Sequence, residues 1–156
     1  MTADHVMNLF GTALDRAGIA YSLWDAEDRL LAYNDIYVRM FFAGSEHIVE
    51  LGQTFERQNQ RWGEIKGPSL QISGLDELIR DRLKRHREPL GSFERSIENH
   101  WIRSTETRTA DGGMLGLHVD ITHEKERERA AQEGERRFRS LVENLHSIVF
   151  CRGIKG

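Results

Sequence analysis

The sequence predicts an α+β fold, and three observations carry that expectation. Two short runs rich in strand-forming residues, Ile19 to Trp24 and Leu30 to Tyr33, follow an amphipathic N-terminal segment. A run with helical apolar spacing begins near Ser73 and lies between them and the later strands. Those later strands, Gly91 to Ile97, Trp101 to Thr109 and Met114 to Ile121, are consecutive and closely joined, so they are read as antiparallel.

Each element has a local cause. Val6, Phe10, Ala13, Leu14 and Ala17 recur at helical spacing, and Gly18 ends that helix. Asp25-Ala26-Glu27-Asp28 turns the chain between the first two strands. Asn34 stands before Asp35 to Phe41, where its side-chain oxygen can accept from free N–H groups of a first helical turn. Gly44 to Gly67 shows no sustained period and is read as short helices and loops. Ser73, with Asp76 three residues on, resembles a capping box before Leu75, Leu78, Ile79 and Leu83, a helix that stops before Pro89 and Gly91. Asp111-Gly112-Gly113 offers the positive-φ residues of a tight hairpin. Thr122 is read as the cap of a charged helix with few apolar residues, after which Phe138, Leu141, Val142 and Leu145 restore an apolar stripe. Ser147 to Cys151 then reads as the start of another strand, so the sequence is expected to be part of something longer.

Composition narrows the function classes. The chain has 156 residues, 38% hydrophobic and 30% charged, enough for one packed core with attached helices. A net charge of -3 and the acids interrupting Lys84, Arg85 and Arg87 argue against nucleic acid. The single cysteine, Cys151, and the absence of a secretory pattern at Met1 to His5 suggest a reducing, cytoplasmic setting. No apolar run approaches the roughly 20 residues that span a bilayer, so direct membrane contact is not expected.

Four stretches carry a family resemblance. Gly18-Ile19-Ala20-Tyr21-Ser22-Leu23-Trp24-Asp25 and Arg29-Leu30-Leu31-Ala32-Tyr33-Asn34 are similar to the opening of a PAS domain. Arg108-Thr109-Ala110-Asp111-Gly112-Gly113 and Val119-Asp120-Ile121-Thr122 resemble its closing hairpin and Asp-Ile-Thr exit. The resemblance implies a five-stranded antiparallel sheet with helices over one face. It divides the chain into an N-terminal helix at 1–17, a PAS domain at 18–122, a signalling linker helix at 123–137 and the start of a second, truncated PAS-like domain at 138–156. The last part rests on Arg137-Phe138-Arg139-Ser140-Leu141-Val142-Glu143-Asn144, which is similar to a PAS lead-in helix.

The candidate site follows from a hairpin register. If Asp111-Gly112 is a two-residue turn, Thr105 lies opposite His118, Arg103 opposite Asp120 and Ser104 opposite Val119. Leu115, Leu117, Val119 and Ile121 then share one face, and Met114, Gly116, His118 and Asp120 share the other with Trp101, Arg103, Thr105 and Thr107. The resemblance implies that the His118 face lines a ligand cavity and that the N-terminal helix or a partner subunit covers the leucine face. Tyr37, Trp101, Arg103, Thr105 and His118 are accordingly the ligand-binding candidates. A hydrogen-bonded core histidine equally explains His118, and a cross-strand pair with Asp120 explains Arg103. Asp25 and Asn34 are structural, and Asp120 and Thr122 would couple sheet to exit helix.

Neither haem nor flavin is favoured. His86 occupies the region from which haem-binding relatives take their axial ligand, but its charged neighbours suit a solvated helix end. Cys151 lies outside the first core, where it could not serve flavin photochemistry. No catalytic or metal-ligating motif is found. The expected function is a sensory, homodimerising input domain of a bacterial histidine kinase or cyclic di-GMP enzyme, with a small molecule as candidate ligand. The alternatives are a ligand-free interaction module, or a small cone-shaped α+β enzyme using Asp25 or His118 as acid or base.

Overall fold

The structure, a computed structural model, describes residues 1–70 and 73–153. Its elements are α1 (Ala3–Ala17), β1 (Ile19–Trp24), β2 (Leu30–Tyr33), α2 (Asp35–Phe42), α3 (Phe55–Leu70), α4 (Leu75–Arg87), β3 (Gly91–Ile97), β4 (His100–Arg108), β5 (Met114–Asp120) and α5 (Thr122–Gly153). The strands form one five-stranded antiparallel sheet in the order β2-β1-β5-β4-β3. By contacts the chain divides into two units, residues 1–120 and the helix after them.

The local signals place the first elements as the sequence predicts. Thr2 caps α1 by accepting from His5 N at 3.3 Å, and Gly18 closes it in the left-handed region at φ 72. Asn34 Oδ1 accepts from Tyr37 N at 3.3 Å, which caps α2, and from Tyr21 N at 2.9 Å, which ties the cap to β1. Asp25 Oδ1 accepts from Glu27 N at 2.9 Å and Arg29 N at 2.8 Å, fixing the turn between β1 and β2.

Three helical expectations are corrected, and one strand. The region read as short helices and loops holds a 3-10 turn at Glu46–Ile48 and then the 16-residue α3. The buried face of α3 hides its period, because it presents Gln58, Gly63 and Gly67 beside Phe55. A Cβ at Gly63 would stand 2.7 Å from Ile79 Cδ1, so these small residues let α3 and α4 approach. Ser73 does not cap α4; Gly74 is the cap residue, left-handed and without a side-chain bond. Thr122 is the first residue of α5 rather than its cap, with Ile121 O accepting from Lys125 N at 2.9 Å. Ser147 to Cys151 is helix, the continuation of α5, and not a strand. The expected second domain at 138–156 lies partly outside the described residues.

The hairpin register differs by one residue from the sequence expectation. Thr109 N donates to Gly113 O at 3.1 Å and Gly112 N to Thr109 O at 3.0 Å, with Gly112 at φ 85, so the loop has three residues and a bulged glycine. His118 therefore opposes Ser104, Thr105 opposes Leu117, Arg103 opposes Val119 and Ile102 opposes Asp120. Because side chains alternate, this single step exchanges the two faces of β4. Ile102, Ser104 and Glu106 are buried beside Met114 and His118, while Trp101, Arg103 and Thr105 occupy the other face.

The inner face of the sheet packs on α2, α3 and α4. Ala20, Trp24, Leu30, Tyr37, Phe42, Ile48, Phe55 and Met114 form its apolar core. On the outer face α1 lies against β1, with Gly11 buried over Tyr21 and Phe10 edge-on to that ring at 5.6 Å. The N-terminal helix thus covers part of this face, as the sequence suggests, and Val6, Leu9, Leu31 and Val119 stay exposed.

Candidate functional site

Two aromatic-lined features occupy the inner side of the sheet. The first is a cavity of about 540 Å³ bounded by α2, α3, α4 and β3. Tyr37, Phe41 and Phe42 come to it from α2, Phe55, Gln58 and Trp62 from α3, Ile79 and Arg82 from α4, and Arg95 and Ile97 from β3. Its size falls in the range of small-molecule sites.

A polar relay runs along one wall. Gln58 Nε2 donates to Tyr37 Oη at 2.8 Å, and Gln53 Nε2 donates to Gln58 Oε1 at 3.0 Å. Arg61 extends the relay, donating from NH1 to Gln53 Oε1 at 3.3 Å. This fixes the Tyr37 hydroxyl at the cavity wall; burial pushes its pKa up.

Three charges stand together behind these groups. Arg82 NH1 lies 3.7 Å from Glu106 Oε1, too far for a hydrogen bond, and Glu106 is buried. The Arg95 guanidinium carbon lies 5.0 Å from the Phe41 ring centre and 5.7 Å from that of Phe93. Arg82 NH1, Arg95 Nε and Glu106 Oε2 are buried atoms without hydrogen-bond partners among the described residues.

The second feature is a buried histidine behind the cavity wall. His118 donates to or accepts from Ser104 Oγ through Nδ1 at 2.8 Å, and its ring meets Phe41 edge-on at 4.9 Å. Its Nε2 is buried without a hydrogen-bond partner among the described residues. Burial, then Arg95 and Arg82, holds its pKa well below the usual imidazole range, so it is neutral near pH 7.

This geometry brings together only part of the predicted site. Tyr37 lines the cavity and His118 contacts Tyr37 and Phe41 from behind. Trp101, Arg103 and Thr105 sit on the opposite face, where Arg103 NH2 donates to Glu94 Oε1 at 3.0 Å and the Thr105 hydroxyl meets Ser92 Oγ at 2.8 Å. Asp120 Oδ2 lies 3.1 Å from His100 Nδ1 at the end of β5. His86 is not at a solvated helix end: it is buried, stacked on Phe55 with ring centres 3.7 Å apart. The sequence reading missed Gln58, Arg82 and Arg95. Two of them carried a signal: Arg95 alternates with Phe93 and Ile97, and Arg82 follows Leu78 and Ile79 at helical spacing, so each is a cation in an apolar phase.

Comparison with known proteins decides the family. A family model described as PAS fold matches residues 14–129, well over half of the chain. The chain belongs to the PAS fold family. A curated relative of this PAS domain is the Non-motile and phage-resistance protein of Caulobacter vibrioides, 29% identical over 143 residues, which are 92% of this chain and 15% of that protein. The chain thus spans about 15% of the length of the curated relative it matches. Among solved structures, the PAS domain from Bordetella pertussis BvgS matches at 19% identity and a TM-score of 0.45, covering 85% of this chain and 98% of that one.

Among the described residues of the PAS domain, no helix is long and apolar enough to cross a membrane. No group of three or more His, Cys, Asp or Glu among them could hold a metal ion. The ring of His86, the residue nearest to a haem-ligand expectation, is engaged by Phe55, Trp24 and Asp28.

Proposed function

We propose that this PAS domain is the sensory and dimerising input module of a longer cytoplasmic signalling protein, with a histidine kinase or a cyclic di-GMP enzyme as its output. The observation that carries the reading is the aromatic cavity, whose walls come from α2, α3, α4 and β3. A ligand there would bias the packing of helices on the sheet, a change in population between two packings. β5 and α5 are separated by one residue, Ile121, so a shift of the last strand has a covalent route into the helix.

Three further features support it. The matched segment is a small part of its curated relative, as an input module would be. On α5, Phe138, Leu141, Leu145 and Ile148 are exposed at spacings of three and four, the seam of a paired helix. Glu135 to Asn144, which is similar to a PAS lead-in, would then carry the signal to a second such domain. The cavity and the Arg95 guanidinium, which has no hydrogen bond among the described residues, favour this reading over a ligand-free interaction module.

The test uses the full-length protein. Insertions of about one to seven residues between Arg129 and Gly134 rotate the downstream part of the chain by about 100° per residue. Output should rise and fall with helical phase. Output indifferent to insertion length would show that α5 is a tether and would overturn the proposal.

A further inference from the structure

The charges around the cavity are not all paired. Arg82, Arg85 and Arg95 line it, Arg85 being exposed with its guanidinium over the Phe93 ring, and Glu106 is the buried carboxylate beside Arg82. Other acids reach the cavity rim but are engaged elsewhere or exposed: Glu94 bonds Arg103, Glu98 lies 3.8 Å from Lys66, and Asp81 is exposed. Arg95 makes no hydrogen bond or ion pair among the described residues, only the two aromatic contacts. A guanidinium keeps its proton in proteins, so it stays a cation. Burial, the largest effect, works against that charge together with Arg82 and Arg85, while Glu106 and Tyr37 support it; the pKa of the guanidinium stays well below its usual range, so an anion bonded directly to Arg95 would relieve it.

We infer that the cavity binds a small organic acid, its single carboxylate on Arg95 and its apolar body against Phe41, Phe42 and Trp62. The inference rests on the sensory reading and names its ligand class. One free guanidinium can take a carboxylate in the two-point manner suited to its fork. A phosphate dianion would leave one charge uncompensated between aromatic rings, which disfavours it. Tyr37, held by Gln58, lines the same cavity.

Titration calorimetry on the full 156-residue chain tests this, with phenylacetate, its neutral amide phenylacetamide and inorganic phosphate as probes. Phenylacetate should bind at least about tenfold more tightly than the amide, and phosphate should neither bind nor compete. Arg95→Met should bind acid and amide alike, and Arg95→Lys should keep part of the preference. Should Arg95→Met fail to fold, the wild-type comparison of acid with amide and the Arg95→Lys variant still decide. Equal binding of acid and amide, competition by phosphate, or no binding of phenylacetate where a Kd of about 1 mM would register overturns the inference. Amide binding without acid preference would remove the anion and leave the sensory reading standing. An output blind to helical phase would remove that reading and leave the cavity's preference intact.

Discussion

His86 lies flat on Phe55, with ring centres 3.7 Å apart and planes 5° from parallel, and its Nε2 is 3.3 Å from Asp28 Oδ1. Burial pushes its pKa down to about 4, against the opposing pull of Asp28 and with help from Arg82 and Arg108. The unfolded imidazole titrates near 6.5, so between these values the unfolded chain binds a proton that the folded chain does not. Stability therefore falls as pH drops from about 6.5 towards 4, by up to about 3 kcal/mol from this group. His118 shifts in the same direction and adds to the loss. His86→Phe keeps a ring in place and removes the proton site. Its urea midpoint should change less between pH 7 and pH 5 than that of wild type; an equal change would show that His86 does not set the acid sensitivity.

The one-residue register step makes neighbouring hydroxyls unequal. Ser104 Oγ is buried against His118, whereas Thr105 Oγ1 bonds Ser92 at the surface. Ser104→Ala should cost about 1–3 kcal/mol by leaving a buried ring nitrogen unpaired, and Thr105→Ala about 0.5 kcal/mol or less. Denaturant unfolding of both variants checks this. A larger loss for Thr105→Ala would restore the two-residue turn.

Close approach separates two glycines of similar appearance. A Cβ at Gly113 would collide with the Trp24 carbonyl oxygen, a backbone atom that cannot rotate away. At Gly63 it would meet the tip of Ile79, which can. Gly113→Ala should therefore lose about 2–4 kcal/mol, while Gly63→Ala, which also gains helix propensity, should stay within about 1 kcal/mol of wild type. Thermal unfolding of the two proteins separates these outcomes.

Dimerisation should depend on the uncovered part of the outer face. Val6 and Leu9 are about half exposed at 48% and 52%, and neither makes the ring contact with Tyr21 that holds Phe10. Val6→Asp with Leu9→Asp should yield a monomer in sedimentation with the melting behaviour of the isolated fold preserved. A wild-type chain already monomeric at micromolar concentration would refute this surface as an interface.

What the sequence disclosed was mostly local. Gly18, Asp25 and Asn34 act on backbone groups within a few residues, so their roles can be read from neighbours alone. The faces of β4 could not, because they depend on whether a loop of Thr, Ala, Asp and two Gly closes around two residues or three. α3 escaped for a different reason: contact with α4 selects small residues, which carry no apolar period. At the site, attention to hydroxyls and histidine on β4 and β5 passed over Arg82 and Arg95, since charge is normally read as surface.

The sheet order has a consequence for how the chain reaches this state. Leu23 of β1 pairs with Leu115 of β5, so the centre of the sheet joins the two ends of the domain. Contacts of such long sequence separation slow folding, because loop closure precedes the stabilisation they bring. On the ribosome, β1 and β2 emerge with the Trp24 side uncovered, and β5 is the last of the five strands to arrive. Until it does, β1 has an open edge beside apolar surface, a window in which a strand of another molecule could take the place of β5.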